Sequence, residues 1–267
     1  MPGGSVALRL DDVGAASKRH EVYGVTRLSL GLVRVPFPGN LLFLKYVPPI
    51  KRWGPYRELR ASEWERVLRA LESTGSRMTV GITAGWVERD GHIVPFPRKF
   101  PDAASVIREG ARRGLLEVAN HGYTHCVLTD GKFRPRAFSG NRSWHREFYD
   151  WLPPATHGQH LSRAQNILGE YFGAAPLTFI PPGNVFARAT LEAAAAVGIR
   201  YLSCRDASRH GSIDGITPVD DAAVVAIHDR DVVLGGLARF GDMLSRNGRP
   251  PFVTVREMAE AAARTPR

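Results

Sequence analysis

Cysteine is scarce: Cys126 and Cys204 are the only two in 267 residues. That excludes a disulfide framework and a paired-cysteine zinc motif, and it leaves two free thiols. Long apolar runs are missing as well. No stretch approaches the roughly 20 residues that span a bilayer. The opening MPGGSVALRLDDVG carries neither a basic leader nor a long apolar segment. The expectation is therefore a cytoplasmic protein with no secretion signal. Acidic residues are in deficit, 26 against 36 Lys and Arg, for a net charge of +10. Such a surplus implies attraction to something anionic: nucleic acid, phosphorylated sugars or anionic lipid heads. The basic residues are scattered and mostly arginine, without a run of five or six, which argues against a nucleic-acid-binding tail. Internal repeats and low-complexity tracts are absent.

What is present is an alternation of short apolar runs with helical patterns. Hydrophobic residues make up 43% and charged residues 23%, ordinary values for a globular chain that can bury a sizeable core. SVALRL (5–10), MTVGIT (78–83), LLEVAN (115–120), LTFIP (177–181), RYLSC (200–204), AAVVAI (222–227) and FVTV (252–255) read as strands. Between them, helices are expected over 61–75, 102–114, 161–173, 188–198 and 237–248, with another at the C-terminus. A Ser62/Glu65 capping box is expected to open the first. Seven strands alternating with helices imply a parallel sheet with right-handed crossovers, and a β/α barrel fits better than an open sheet. Residues 1–267 read as one domain with two inserts, near 31–58 and 129–160. Loops of that length in a compact domain are commonly functional.

In a β/α barrel the carboxyl ends of the strands share one mouth. Asp11 and Asp12 close the first strand, and His121, with His125 four residues on, closes the third. Pro181-Pro182-Gly183-Asn184 follows the fourth, and His228 follows the run 222–227. Singly, each has a plainer explanation: a turn or helix cap for the aspartates, a tight turn for the prolines, a core histidine for His228. Together at one mouth they suit metal-assisted hydrolysis. A carboxylate and two neutral imidazoles leave an open position on zinc or a similar divalent metal. A second carboxylate can take a proton from water, and a separate histidine can protonate a leaving amine.

These residues resemble the four motifs of the polysaccharide deacetylase family, the NodB-like carbohydrate esterases. LRLDDVG matches the Asp-Asp strand, NHGYTH the His-x-x-x-His motif, FIPPGN the Pro-and-Gly turn and VVAIHD the last apolar strand with its histidine. The resemblance runs from about residue 5 to about 235. It implies a distorted seven-stranded (β/α) barrel, with Asp11 as general base, Asp12, His121 and His125 as metal ligands, and His228 as general acid. It also implies that Pro182, Gly183 and Asn184 line the substrate site. Three departures stand out. Val13 separates the aspartates from Gly14, Phe179 occupies the place of the arginine that braces the base, and no Asp-and-Trp motif lies before the last strand.

The resulting expectation is a divalent-metal hydrolase, with zinc as the first candidate, that removes an N-acyl group from an amino sugar. Two alternatives accompany it: a deformylase or deacetylase of a polyprenyl-phosphate-linked sugar at the cytoplasmic membrane face, and a non-catalytic carbohydrate-binding relative. Expected partners are a small-molecule or lipid-linked amino sugar, with peripheral contact at the inner membrane face and no nucleic acid. Leu41 to Leu44, followed by Lys51, Arg52 and Trp53, suggest that membrane contact.

Overall fold

A computed structural model describes residues 5–31, 33–41, 43–128, 146–205, 207, 215–245 and 250–264. Leu42 and residues 129–145 of the second expected insert, His145 included, lie outside the described residues.

Seven parallel strands form one curled sheet: β1 (Ala7–Val13), β2 (Met78–Ile82), β3 (Leu116–Asn120), β4 (Thr178–Phe179), β5 (Tyr201–Cys204), β6 (Thr217–Asp220) and β7 (Val224–His228). Their order is β6-β5-β4-β3-β2-β1-β7. Neighbours are thus sequential except that β7 returns to pair with β1, and among the described residues no ladder joins β6 to β7. All seven residues of β1 are buried, as expected of a strand covered on both faces. Helix α1 (Ala61–Ser73) buries Trp64, Val67, Leu68 and Leu71, the stripe that its spacing indicates. That stripe joins Leu8, Leu10, Val80, Ile82 and Ile107 in the largest core cluster. Full burial of such side chains stabilises by about 1.5–3 kcal/mol each.

Several elements differ from the sequence reading. FVTV (252–255) is not a strand: only Val253 bridges to Ala7. Thr254 and Glu257 form a capping box there, with Thr254 N–H donating to Glu257 Oε2 at 2.9 Å and Glu257 N–H to Thr254 Oγ1 at 3.2 Å. The chain therefore turns at once into helix 255–264. The seventh strand is instead Thr217–Asp220, whose Pro218 is tolerated because the strand lies at the sheet edge. The helix expected at 161–173 starts earlier, at Pro154–Phe172, so the end of the second insert is helical. Pro154 sits in its first turn, where a missing N–H costs nothing. Glu63, not Glu65, caps α1, accepting the Arg60 N–H at 2.9 Å.

The first insert folds over the mouth. Tyr23–Gly24 pairs with Lys51–Trp53, and Arg27–Leu30 pairs with Val33–Pro36 as a hairpin. Lys18, buried, binds the carboxylates of Glu58 and Asp229 and so ties the segments after β1, before α1 and after β7. Burial opposes its charge, but these two carboxylates outweigh that and push the ammonium up. Cys126 and Cys204 are both buried and not joined in a disulfide.

Candidate active site

Two neighbouring residues on a regular strand point to opposite faces. Asp11 and Asp12 escape that rule through a bulge. Against β2, Arg9 and Leu10 pair with Thr79 and Val80, yet Val13 pairs with Ile82, so β1 carries an extra residue. Asp12 absorbs it at φ 70°. The glycine displaced by Val13 reappears as Gly14, at φ 76°, where an added Cβ would stand 2.7 Å from the Thr83 carbonyl. Asp12, His125 and Asn184 are the non-glycine residues with positive φ among those described, and all three belong to this mouth. Backbone strain of this kind gathers at functional sites.

Asp12 Oδ1 lies 3.3 Å from His121 Nε2 and 3.1 Å from His125 Nε2. The far side of each ring assigns its proton. His121 Nδ1 is 2.7 Å from the Ile180 carbonyl, which can only accept, so Nδ1 is the N–H. His125 Nδ1 is 3.1 Å from Ser17 Oγ, whose hydroxyl donates to Glu21 at 3.4 Å. With these tautomers both Nε2 lone pairs face a carboxylate, an arrangement that suits a cation between them. The three ligand atoms lie within 4.8 Å of one another and all three residues are buried. This donor set suits a divalent metal, with outer hydrogen bonds that fix both tautomers. Burial lowers the His125 imidazole and keeps it neutral against the pull of Asp12. Burial would raise Asp12, but the charge of His228 pulls the carboxyl well below the usual range.

Asp11 stands beside His228 across the β1–β7 ladder. Its orientation comes from a residue that the sequence reading did not single out. Phe179 is buried in the core against Phe148, with ring centroids 5.5 Å apart, so β4 supplies no arginine. Arg9 supplies it instead. Two residues before Asp11 on the same face of β1, it donates from Nε to Oδ1 at 3.0 Å and from Nη2 to Oδ2 at 3.0 Å. Its Nη1 donates to Ser203 Oγ at 2.8 Å. The signal was legible: an arginine inside an otherwise apolar strand, two residues from a carboxylate.

His228 is part-exposed at the mouth. Its N–H donates to Asp231 Oδ2 at 3.0 Å, and its Nδ1 lies 3.7 Å from the same oxygen. Burial lowers its pKa, but Asp12, Asp231 and Asp11 reverse that and raise it, against Arg230. A raised histidine holds its proton for donation near neutrality. Of the expected lining residues, Gly183 and Asn184 border a cavity of about 220 Å³ together with Asp11, Asp12, His121 and His228. Pro182 is buried within the turn, and Pro181 lines the cavity in its place. Asn184 Oδ1 accepts the Arg205 N–H at 3.0 Å. Gly183, at φ 60°, leaves room for the Arg146 guanidinium, which a Cβ would displace.

Glu147 was not anticipated. Fully buried, it accepts the N–H groups of Tyr123 at 3.0 Å, Thr124 at 3.2 Å and His125 at 2.9 Å, and it also binds His160. Burial would raise its carboxyl, but His160 and these backbone donors lower it. Only the fold brings it beneath the ligand loop. His157 is engaged elsewhere, its Nδ1 2.7 Å from Thr190 Oγ1.

The family profile described as polysaccharide deacetylase matches residues 54–202, which hold the His-x-x-x-His loop and the Pro-Pro-Gly-Asn turn. A search of curated proteins finds no match. Similar solved structures include a CE4 family pseudoenzyme from Bacillus anthracis, 13% identical with a TM-score of 0.44, covering 75% of this chain and 62% of that one. This chain therefore spans less than two thirds of that protein. A family 4 carbohydrate esterase from Streptomyces lividans in complex with acetate is 19% identical with a TM-score of 0.42, covering 71% and 84%. A family 4 acetyl xylan esterase from Clostridium thermocellum with a cobalt ion is 14% identical with a TM-score of 0.46, covering 78% and 88%. Asp11, Asp12 and His228 lie outside the profile match, but the sheet carries them to the same mouth. Since that match takes in more than half of its residues, the chain belongs to the polysaccharide deacetylase family.

Proposed function

We propose that the protein is a metal-dependent hydrolase that removes an N-acyl group, acetyl first, from an amino sugar. The observation that carries this reading is the convergence of Asp12, His121 and His125, each imidazole turning its unprotonated nitrogen towards the carboxylate. These three residues would hold the ion. A divalent metal there would supply Lewis acidity, acidifying water and polarising the amide carbonyl.

The rest falls to the chain's own groups. Asp11, held by Arg9, takes a proton from the water whose oxygen adds to the acyl carbon. His228 then protonates the nitrogen as the C–N bond breaks, so that a carboxylic acid and a free amine leave. Asp231 faces His228 Nδ1 at ion-pair distance, 3.7 Å, so Nε2 would be the nitrogen that serves the substrate. The Arg9–Asp11 pair favours turnover over the non-catalytic alternative, since a binding module has no use for a braced base. The test is metal analysis of the purified protein, with acetate or formate release measured on a panel of N-acyl amino sugars. We expect one divalent ion per chain and acyl release that a chelator abolishes. Full metal occupancy without release from any N-acyl sugar would favour the binding alternative.

A second reading, peripheral docking on an anionic membrane, is favoured by Leu41 and Phe43, which are 56% and 58% exposed. Exposed apolar side chains beside basic ones suit the lipid–water boundary.

A further inference from the structure

Beside the catalytic mouth lies a second cavity of about 350 Å³ that shares Arg52, Trp53 and Arg230 with it and adds Asp231, Leu234 and Arg239. Three guanidinium groups thus meet one carboxylate. Its Oδ2 accepts the His228 N–H at 3.0 Å, and its Oδ1 lies 4.0 Å from Arg230 Nε. Arg230 is braced against the Trp53 ring at 4.8 Å, and its Nη1 reaches within 3.7 Å of Asp12 Oδ2. On its other side Trp53 stacks on Tyr23 at 4.3 Å, so the arginine rests on a rigid aromatic wall bordering the mouth. Arg52 and Arg239 have no carboxylate partner among the described residues. From Arg52 the positive lining continues into a third cavity bordered by Arg27 and Arg34, with no acidic residue.

Arg230 has carboxylates at ion-pair distance, Arg52 and Arg239 do not, and like charges crowded with too few counter-charges are unfavourable unless an anion joins them. Planar forks presenting paired N–H donors match phosphate oxygens better than a point charge does. Tyr23 and Trp53 both border the mouth, beside the place where a sugar ring would sit with its acylamino group at Asp11 and His228. We infer that Arg52, Arg230 and Arg239 form a subsite for a phosphate group carried by the amino-sugar substrate. This rests on the deacylase reading and gives that substrate its charge.

Direct binding and turnover separate the two ideas. Calorimetric titration of the metal-loaded protein with glucosamine 1-phosphate and with glucosamine should show the phosphorylated sugar binding about tenfold tighter or better. Arg52→Ser and Arg239→Ser, both at exposed positions, should each reduce that preference by about tenfold, and Arg239→Lys by less, because it keeps charge but loses the fork. Inorganic phosphate should compete with the wild-type protein, which needs no variant to fold. Equal affinity for the two sugars, or a preference untouched in both serine variants, would overturn the subsite. Acyl release is compared on N-acetylglucosamine, its 1-phosphate, and its phosphodiester to a short isoprenol in detergent. Preference for the diester over the monoester assigns a lipid-linked substrate; equal preference for both over the neutral sugar assigns a free sugar phosphate. Equal kcat/KM on all three overturns the subsite and leaves deacylation standing. Arginine-dependent binding with no acyl release retains the subsite and removes the deacylase.

Discussion

Asp11 and Asp12 are adjacent in the chain and take different tasks, because one is held by an arginine and the other by two imidazoles. Asp11→Asn should keep bound metal and lose about 10²–10⁴ in turnover, since an amide cannot accept the proton from water. Asp12→Asn should lose the metal. Metal stoichiometry measured beside acetate release checks both, and equal metal loss in the two variants would refute the division. Arg9 is a positioning residue. Arg9→Met should lower kcat by about 10–100-fold with KM little changed, the usual scale for an outer hydrogen-bond partner, and Arg9→Lys should recover part of it. Because Arg9→Met leaves Asp11 buried and unpaired, a stability loss of about 3–5 kcal/mol by urea unfolding is also expected. A lysine variant no more active than the methionine one would remove the brace from catalysis.

At the scale of elements, the loop after β3 is held from below. Three consecutive backbone N–H groups, those of Tyr123, Thr124 and His125, converge on the buried Glu147 carboxylate. The left-handed turn at His125, φ 61°, needs such an anchor, because a non-glycine residue does not hold that conformation unaided. Glu147→Gln substitutes an N–H donor for one acceptor oxygen and removes the charge. It should weaken metal affinity by about 10–100-fold while leaving the far-ultraviolet circular dichroism intact. Chelator competition measures the affinity. Unchanged binding would mean that the loop is held by β3 alone.

For the whole molecule, a net charge of +10 combines with an apolar fringe on the insert that covers the mouth. Liposome flotation should recover the protein with anionic vesicles and less of it at high salt, where charges are screened within a few ångströms. The double substitution Leu41→Ser with Phe43→Ser should reduce recovery further. Equal, negligible flotation with anionic and neutral vesicles would discard membrane docking and leave a soluble sugar as the substrate.

How much of this was legible in the chain follows from the range of the forces involved. Alternation of apolar runs and helical stripes specifies a parallel β/α sheet locally, through periods of two and 3.6 residues, so six of the seven expected strands appear in the sheet. The motifs at strand ends, Asp11-Asp12, His121 with His125, and His228, are local as well. Strand β6 was missed because an edge strand tolerates Pro218 and lacks the apolar run of a central one. FVTV was misread because its β character yields to the Thr254–Glu257 capping box that follows. What depends on sequence-distant partners could only come from the tertiary structure. The bulge that turns Asp12 into the mouth is a register shift against β2, and Glu147 reaches the His125 N–H from 22 residues away. Arg9, which takes over the brace, is itself held by Ser203, brought to its Nη1 by β5. Local periodicity determined the frame and the residues that could react; their orientation was decided by hydrogen bonds and buried charges that close only when the sheet has curled.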